Sequence, residues 1–380
     1  MPTSVVACVA VVAKENFIES STTIAVSYLL VYRKLNLSGT NSLYSPPKVT
    51  MKAAFFLNPG PPDVITYGDI PDPVCRPNEV RVRVGAVSVN PIDTYIRNGA
   101  NYWPLPKPYV IGCDVAGTIV ELGSEVRSMH VGQRVWGTNQ GLMGRQGTFS
   151  DYACIDPTWL YPSPDSASDR ELAAISLVGI TAHIGLFSRA QLKPNESVFV
   201  RGGTGGVGAM VLQMAKAIGA SVITTAGSPE KATRCRELGA DHVIEYNIDS
   251  VGDRLKVLTP NGVDVFWETL RVPDFDLAIA AMAERGRMVV MAGRDARPSF
   301  PVGPFYVKGC SLHGFAMFKE PPEQQNTAAS DINHWLRTGK LRAQIDRVMP
   351  LSQSAEAHRL QEANTVHQQN ILSGKIVLEP

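Results

Sequence analysis

No apolar run in this 380-residue chain approaches the roughly 18 to 20 residues that cross a bilayer. The longest, Val5–Ala13 and Ile24–Tyr32, are far shorter. Charge of either sign is also missing in excess: 36 Lys and Arg stand against 35 Asp and Glu, a net +1, with no polybasic cluster. That balance argues against a nucleic-acid or membrane partner. Cysteine is sparse. The six residues Cys8, Cys75, Cys113, Cys154, Cys235 and Cys310 include no C-x-x-C pair. They read as reduced thiols of a cytoplasmic enzyme, not as a disulfide framework or structural zinc site. Residues 1–50 lack the positive flank of a secretory signal. They are expected to be a disordered leader or the product of a start codon placed too early, with the fold beginning at Met51.

The chain does have a glycine-rich turn in a telling context. The apolar strand Val198-Phe199-Val200 runs into Gly203-x-Gly205-x-x-Gly208, and helical apolar spacing follows from Ala209 to Ile218. A second strand, Ser221–Thr225, comes next, completing a βαβ unit. Such glycines permit a tight turn, close approach of a pyrophosphate and close helix–strand packing. The helix N-terminus offers free N–H groups and a favourable dipole to the phosphates. Gly203, Thr204, Gly205, Gly206, Val207 and Gly208 are therefore candidate dinucleotide ligands.

A carboxylate at the end of the second strand would grip a ribose 2′-hydroxyl and repel a 2′-phosphate. Ala226 stands there instead, followed by Gly227, Ser228 and Lys231, which offer donors and a positive charge. The expected cofactor is NADPH.

Two textures divide the chain. Residues 51–173 hold short strands punctuated by Gly and Pro, such as Val80–Val84 with its alternation of apolar and charged residues. From about residue 174 to 309 strands and helices alternate, which predicts an α/β, doubly wound parallel sheet. The remainder, 310–380, reads as two helices and a final strand.

The motifs Val89-Asn90-Pro91-Ile92-Asp93-Thr94-Tyr95-Ile96-Arg97, Gly112-Cys113-Asp114-Val115-Ala116-Gly117, Gly203–Gly208 and Gly374-Lys375-Ile376-Val377-Leu378 resemble the medium-chain dehydrogenase/reductase superfamily. Within it, the resemblance is to the zinc-independent NADPH quinone oxidoreductases related to zeta-crystallin. It implies a GroES-like β-rich catalytic domain, 51–173 completed by 310–380, interrupted by a Rossmann domain at 174–309. Zinc-dependent relatives place Cys-His where this chain has Asn90-Pro91, His at Cys113 and Cys near Leu177, so no metal is expected.

The resemblance puts Asn90, Tyr95 and Tyr102 in the substrate cleft as hydrogen-bond donors. It assigns Thr181 to the nicotinamide end, the backbone of Ala292 and Gly293 to the carboxamide, and Gly227 and Lys231 to the 2′-phosphate. Asn370 stands where some members carry arginine. Asp93 and Arg97 are expected to form a structural pair, and His183 and His313 to be core or surface residues.

The implied activity is hydride transfer to a small-molecule quinone or enone by a homodimer. Alternatives are an alkenal or enoyl reductase of the same superfamily and a non-catalytic crystallin-like or RNA-binding protein on the reductase fold.

Overall fold

A computed structural model describes residues 50–100 and 103–380. Residues 1–49 of the expected leader and Tyr102 lie outside the described residues, while Thr50 already opens the first strand. The first eight strands are β1 (Thr50–Phe56), β2 (Thr66–Pro71), β3 (Val80–Ser88), β4 (Tyr109–Val110), β5 (Val115–Leu122), β6 (Arg134–Gly137), β7 (Tyr152–Ile155) and β8 (Leu160–Pro162). The next six are β9 (Ser197–Val200), β10 (Ser221–Ala226), β11 (His242–Glu245), β12 (Val263–Glu268), β13 (Met282–Val290) and β14 (Ser311–Gly314). The last two are β15 (Ile345–Pro350) and β16 (Lys375–Glu379).

Strands β9 to β14 form one parallel sheet in the order β11-β10-β9-β12-β13-β14. The order reverses between β9 and β12, and a doubly wound sheet opens its ligand crevice beyond the carboxyl ends of the strands at such a point. The glycine loop follows β9, so topology and motif select the same place. The sheet has the α/β form expected.

The β-rich part has a three-stranded sheet, β2-β1-β4, and a larger sheet ordered β15-β16-β3-β5-β6-β8, with β7 also paired to β3. The C-terminal strand β16 enters antiparallel to β3, aligning Val377 with Ser88 and Leu378 with Val87. The last residues thus complete a sheet begun some 290 positions earlier. The strands β14 and β15 escape sequence reading because each is short and mixed in polarity.

The helix Asp169–His183 begins at a capping box in which Ser168 and Glu171 satisfy one another's backbone. It crosses the expected boundary at 173/174 and continues as a π-helical turn, Ile184–Arg189. Contrary to the sequence reading, the segment Asp169–Arg189 is long and apolar enough to cross a membrane by length and composition. It is largely buried within the fold, as a core helix is.

The fold bears on three other expectations. Cys75 and Cys154 form a disulfide, correcting the reading of uniformly reduced thiols. The bond ties the segment before β3 to β7, which already pairs with β3 through Arg81 and Cys154. Asp93 and Arg97 do not pair: Arg97 is fully buried and binds Glu362 and, at 3.0 Å, the Gly60 carbonyl. Among the two histidines, His183 is buried against Asp331 at 2.8 Å, and His313 lies on β14 beside Ser311 at 3.0 Å.

A third histidine, His358, lies completely buried on the helix Ser354–Thr365, edge-on to Phe149. Burial, and secondarily the charge of Arg97, lowers its pKa to about 3. The unfolded chain binds a proton there below about 6.5 while the folded chain does not. Its contribution to stability is present above about 6.5 and is lost as pH falls toward 3. His358→Leu is therefore expected to flatten the loss of chemical-denaturation midpoint between pH 7 and 5 relative to wild type. Parallel slopes for the two proteins would contradict this.

Candidate active site

The helix Gly206–Ala217 starts immediately after β9 and the glycine turn. Gly202 carries the positive φ, +82°, that reverses the chain, one residue earlier than the first glycine of the motif. A side chain at Gly203 would collide with Thr224, Cys235 and Leu212, and one at Gly208 would overlap the Gly202 carbonyl. Gly205 caps the helix with no side chain in the way. The turn keeps main-chain N–H groups at the helix head open to an anion. Thr204 is buried and Val207 half-buried beside it. Beneath the loop, Arg201 pairs with buried Glu268 at 3.1 Å, and Gly202 N–H donates to Thr225 at 3.0 Å.

At the end of β10, Ala226 is buried and Gly227 lies under the ring of Tyr246, where a Cβ would overlap the tyrosine hydroxyl. Ser228 caps the helix Pro229–Glu237 by accepting from Lys231 N–H. The Lys231 ammonium donates to the Asn370 carbonyl (2.9 Å) and side-chain oxygen (2.6 Å), and Asn370 donates to the Tyr246 hydroxyl (3.3 Å). Asn370, noted in sequence as a missing arginine, is thus the partner of Lys231. Tyr246 was missed. Its place one residue past β11, the neighbour of β10, was the available signal.

The catalytic-domain side is organised by a buried lysine. Lys375, the first residue of β16, donates to the Val89 carbonyl at 2.7 Å and to Asn90 Oδ1 at 2.5 Å, and lies 3.9 Å from Asp114. Asp114 accepts from Ser88 Oγ (2.7 Å), Asn90 Nδ2 (2.7 Å) and Leu177 N–H (3.0 Å). Burial raises the Asp114 pKa and lowers that of Lys375, and each charge is the largest opposing influence on the other. The lysine stem also abuts Gly206, where a Cβ would lie 3.2 Å from Lys375 Cδ. One side chain therefore touches the cofactor loop and the β-rich domain together.

Asn90 has both ends of its amide engaged in this network. Next to it, buried Asp93 accepts from Asn90 N–H at 2.7 Å and from the Cys113 thiol at 3.0 Å. Burial raises the Asp93 pKa to about 7, opposed first by the Cys113 bond. Burial, and then the Asp93 charge, pushes the Cys113 thiol well above its ordinary value.

These residues do not fit a tetrahedral zinc. The three positions that would hold it present an amide bound to an ammonium, a protonated thiol bound to a carboxyl, and a leucine. Among the described residues, Cys75, Glu79 and Cys154 are the one group close enough to share an ion, and the two cysteines are joined to each other.

Thr181 is buried on the helix one turn beyond Leu177 and donates back to its carbonyl at 2.8 Å. Ala292 and Gly293 follow β13. Gly293 has φ +80°, and a Cβ there would overlap the Arg271 carbonyl. Tyr95 is half-buried on the helix Pro91–Arg97, with the Arg271 guanidinium 5.9 Å from its ring centroid. Burial raises its pKa, Arg271 being the largest opposing influence, so its hydroxyl keeps its proton at neutral pH.

The fold is that of a two-domain nicotinamide-dependent reductase. Residues 76–165 match the family model of the alcohol dehydrogenase GroES-like domain, and 206–333 that of the zinc-binding dehydrogenases. The chain is 31% identical to a quinone oxidoreductase of Pseudomonas aeruginosa, over 79% of this chain and 92% of that protein. It is 29% identical to the quinone oxidoreductase of Sus scrofa, over 84% and 94%. It is also 28% identical to an Arabidopsis thaliana chloroplastic NADPH-dependent alkenal/one oxidoreductase, over 87% and 80%. A solved Escherichia coli quinone oxidoreductase in complex with NADPH superposes with a TM-score of 0.75, at 26% identity, over 87% and 100%.

The chain belongs to the quinone oxidoreductase family of medium-chain dehydrogenase/reductases.

Removing the ammonium from the buried network should strand Asp114. Lys375→Met is expected to destabilise the protein by about 3–5 kcal/mol, and Lys375→Met with Asp114→Asn by clearly less than the two single losses combined. Chemical denaturation of the four proteins measures the coupling. Strict additivity would contradict the network.

Proposed function

We propose that the chain is a zinc-independent, NADPH-dependent reductase of quinones. The observation that carries this is the glycine turn. Its geometry leaves a helix head bare, and beside it β10 ends in Ala226 rather than a carboxylate, with Gly227, Ser228 and Lys231 following. Bound NADPH supplies a hydride, and a quinone accepts one without a metal Lewis acid.

The helix N-terminus would hold the pyrophosphate, and Lys231, Gly227 and Ser228 would hold the 2′-phosphate. Thr181, Ala292 and Gly293 line the nicotinamide end. Tyr95 donates its hydroxyl proton as a hydrogen bond to the acceptor oxygen where negative charge develops. Tyr102 shares that role in this proposal. Asn90, whose amide is engaged by Lys375 and Asp114, acts by holding that corner of the cleft.

The alkenal/one oxidoreductase among the relatives favours a second acceptor class, conjugated carbonyls outside the quinones. A homodimer and a cytoplasmic location complete the proposal. The Cys75–Cys154 bond counts against the latter, because reducing compartments open disulfides.

Purified protein is expected to oxidise NADPH with 1,2-naphthoquinone, with kcat/KM for NADPH well above that for NADH. Lys231→Met should erase most of that preference, about tenfold or more. Tyr95→Phe should lower kcat with little change in NADPH affinity. Preference for NADH in the wild type, or an unaltered kcat in the tyrosine variant, would contradict the respective assignments.

A further inference from the structure

Arg271 stands on a loop that is fixed on both sides. Upstream, Glu268 accepts from Leu270 N–H at 2.8 Å, and Thr269 Oγ1 donates to the Arg201 carbonyl at 2.5 Å. On the other side, the Arg271 carbonyl packs against the α-carbon of Gly293. The side chain leaves the nucleotide domain and reaches over Tyr95 of the catalytic domain.

Its Nη1 is shut from water and has no hydrogen-bond partner among the described residues. The nearby acids are otherwise engaged. Glu268 is bound to Arg201, and Asp295 is well exposed and lies 3.8 Å from Arg294. Arg294 itself donates to the Ala100 carbonyl at 2.5 Å. Arg271, Arg294 and Asp295, the charges that act on Tyr95, sum to one uncompensated positive charge.

A buried guanidinium nitrogen without a partner is costly, and such groups are normally satisfied. What satisfies this one should be an anion arriving with the ligand, at the end of the cleft where Tyr95 meets the acceptor.

We propose that Arg271 selects acceptors that carry their own anionic group, a quinone or conjugated carbonyl bearing a carboxylate or sulfonate beside the reacting ring. Planar, two-pronged donation to such a group is the geometry arginine provides. The inference rests on the quinone-reductase reading and names the substrate class within it.

The test compares 1,2-naphthoquinone-4-sulfonate with neutral 1,2-naphthoquinone in wild type, Arg271→Gln and Arg271→Lys, with NADPH affinity measured separately by fluorescence titration. Intrinsic reactivity differences between the quinones cancel between proteins. Arg271→Gln is expected to lose tenfold or more in kcat/KM for the sulfonate. The neutral quinone should lose clearly less than the sulfonate, and NADPH affinity should hold. Arg271→Lys, which keeps the charge, should retain part of the preference, which separates charge recognition from a folding defect.

Equal losses for both quinones would overturn the proposal, as would a weakened NADPH affinity, which would make Arg271 a cofactor residue. Turnover of neither quinone by wild type would contradict the quinone-reductase reading itself, and this inference with it.

Discussion

The buried ammonium of Lys375 is the interaction on which the two halves of the molecule depend. It enters with the last strand of the chain, binds Val89 and Asn90 and faces Asp114 in the β-rich domain, and lays its stem along Gly206 at the head of the cofactor helix. A charge withdrawn from water is stable only when surrounded by matching oxygens. Ser88, Asn90 and the Leu177 amide share that task by holding Asp114. The arrangement sets an organic cation against Asn90 and Asp114.

On the other side of the cleft the constraint is steric. At Gly203 the side chains of Thr224, Cys235 and Leu212, and at Gly208 main-chain atoms of the loop, fill the volume a side chain would need. Packing of helix on strand and exposure of the helix head are one requirement met twice. The neighbouring loops extend the same surface: Gly227 under Tyr246, and Gly293 against Arg271.

Sequence reading reached what local pattern encodes. The glycine loop, the alternation of strands and helices and the missing acid at Ala226 were visible because each is a matter of a few adjacent residues. The partners of Lys375 and Arg271 were not, because their contacts join positions as far apart as 90 and 375, or 95 and 271. The same distance hid the Cys75–Cys154 bond, 79 residues apart with no motif to announce it. Arg97 looked like a partner for Asp93 at helical spacing, yet the fold brings Glu362 and Gly60 to it and leaves Asp93 to Cys113. That the helix at 169–189 is long and apolar enough to cross a membrane also escapes a search for uninterrupted apolar runs, because single polar residues interrupt it.

The most direct test of a lysine-centred, metal-free site is the metal dependence of turnover. Protein purified without added metal is assayed for zinc by elemental analysis, and for NADPH-dependent quinone reduction before and after exhaustive chelation. The account predicts far less than one zinc per chain and an unchanged kcat. Stoichiometric zinc whose removal abolishes turnover and whose return restores it would contradict it.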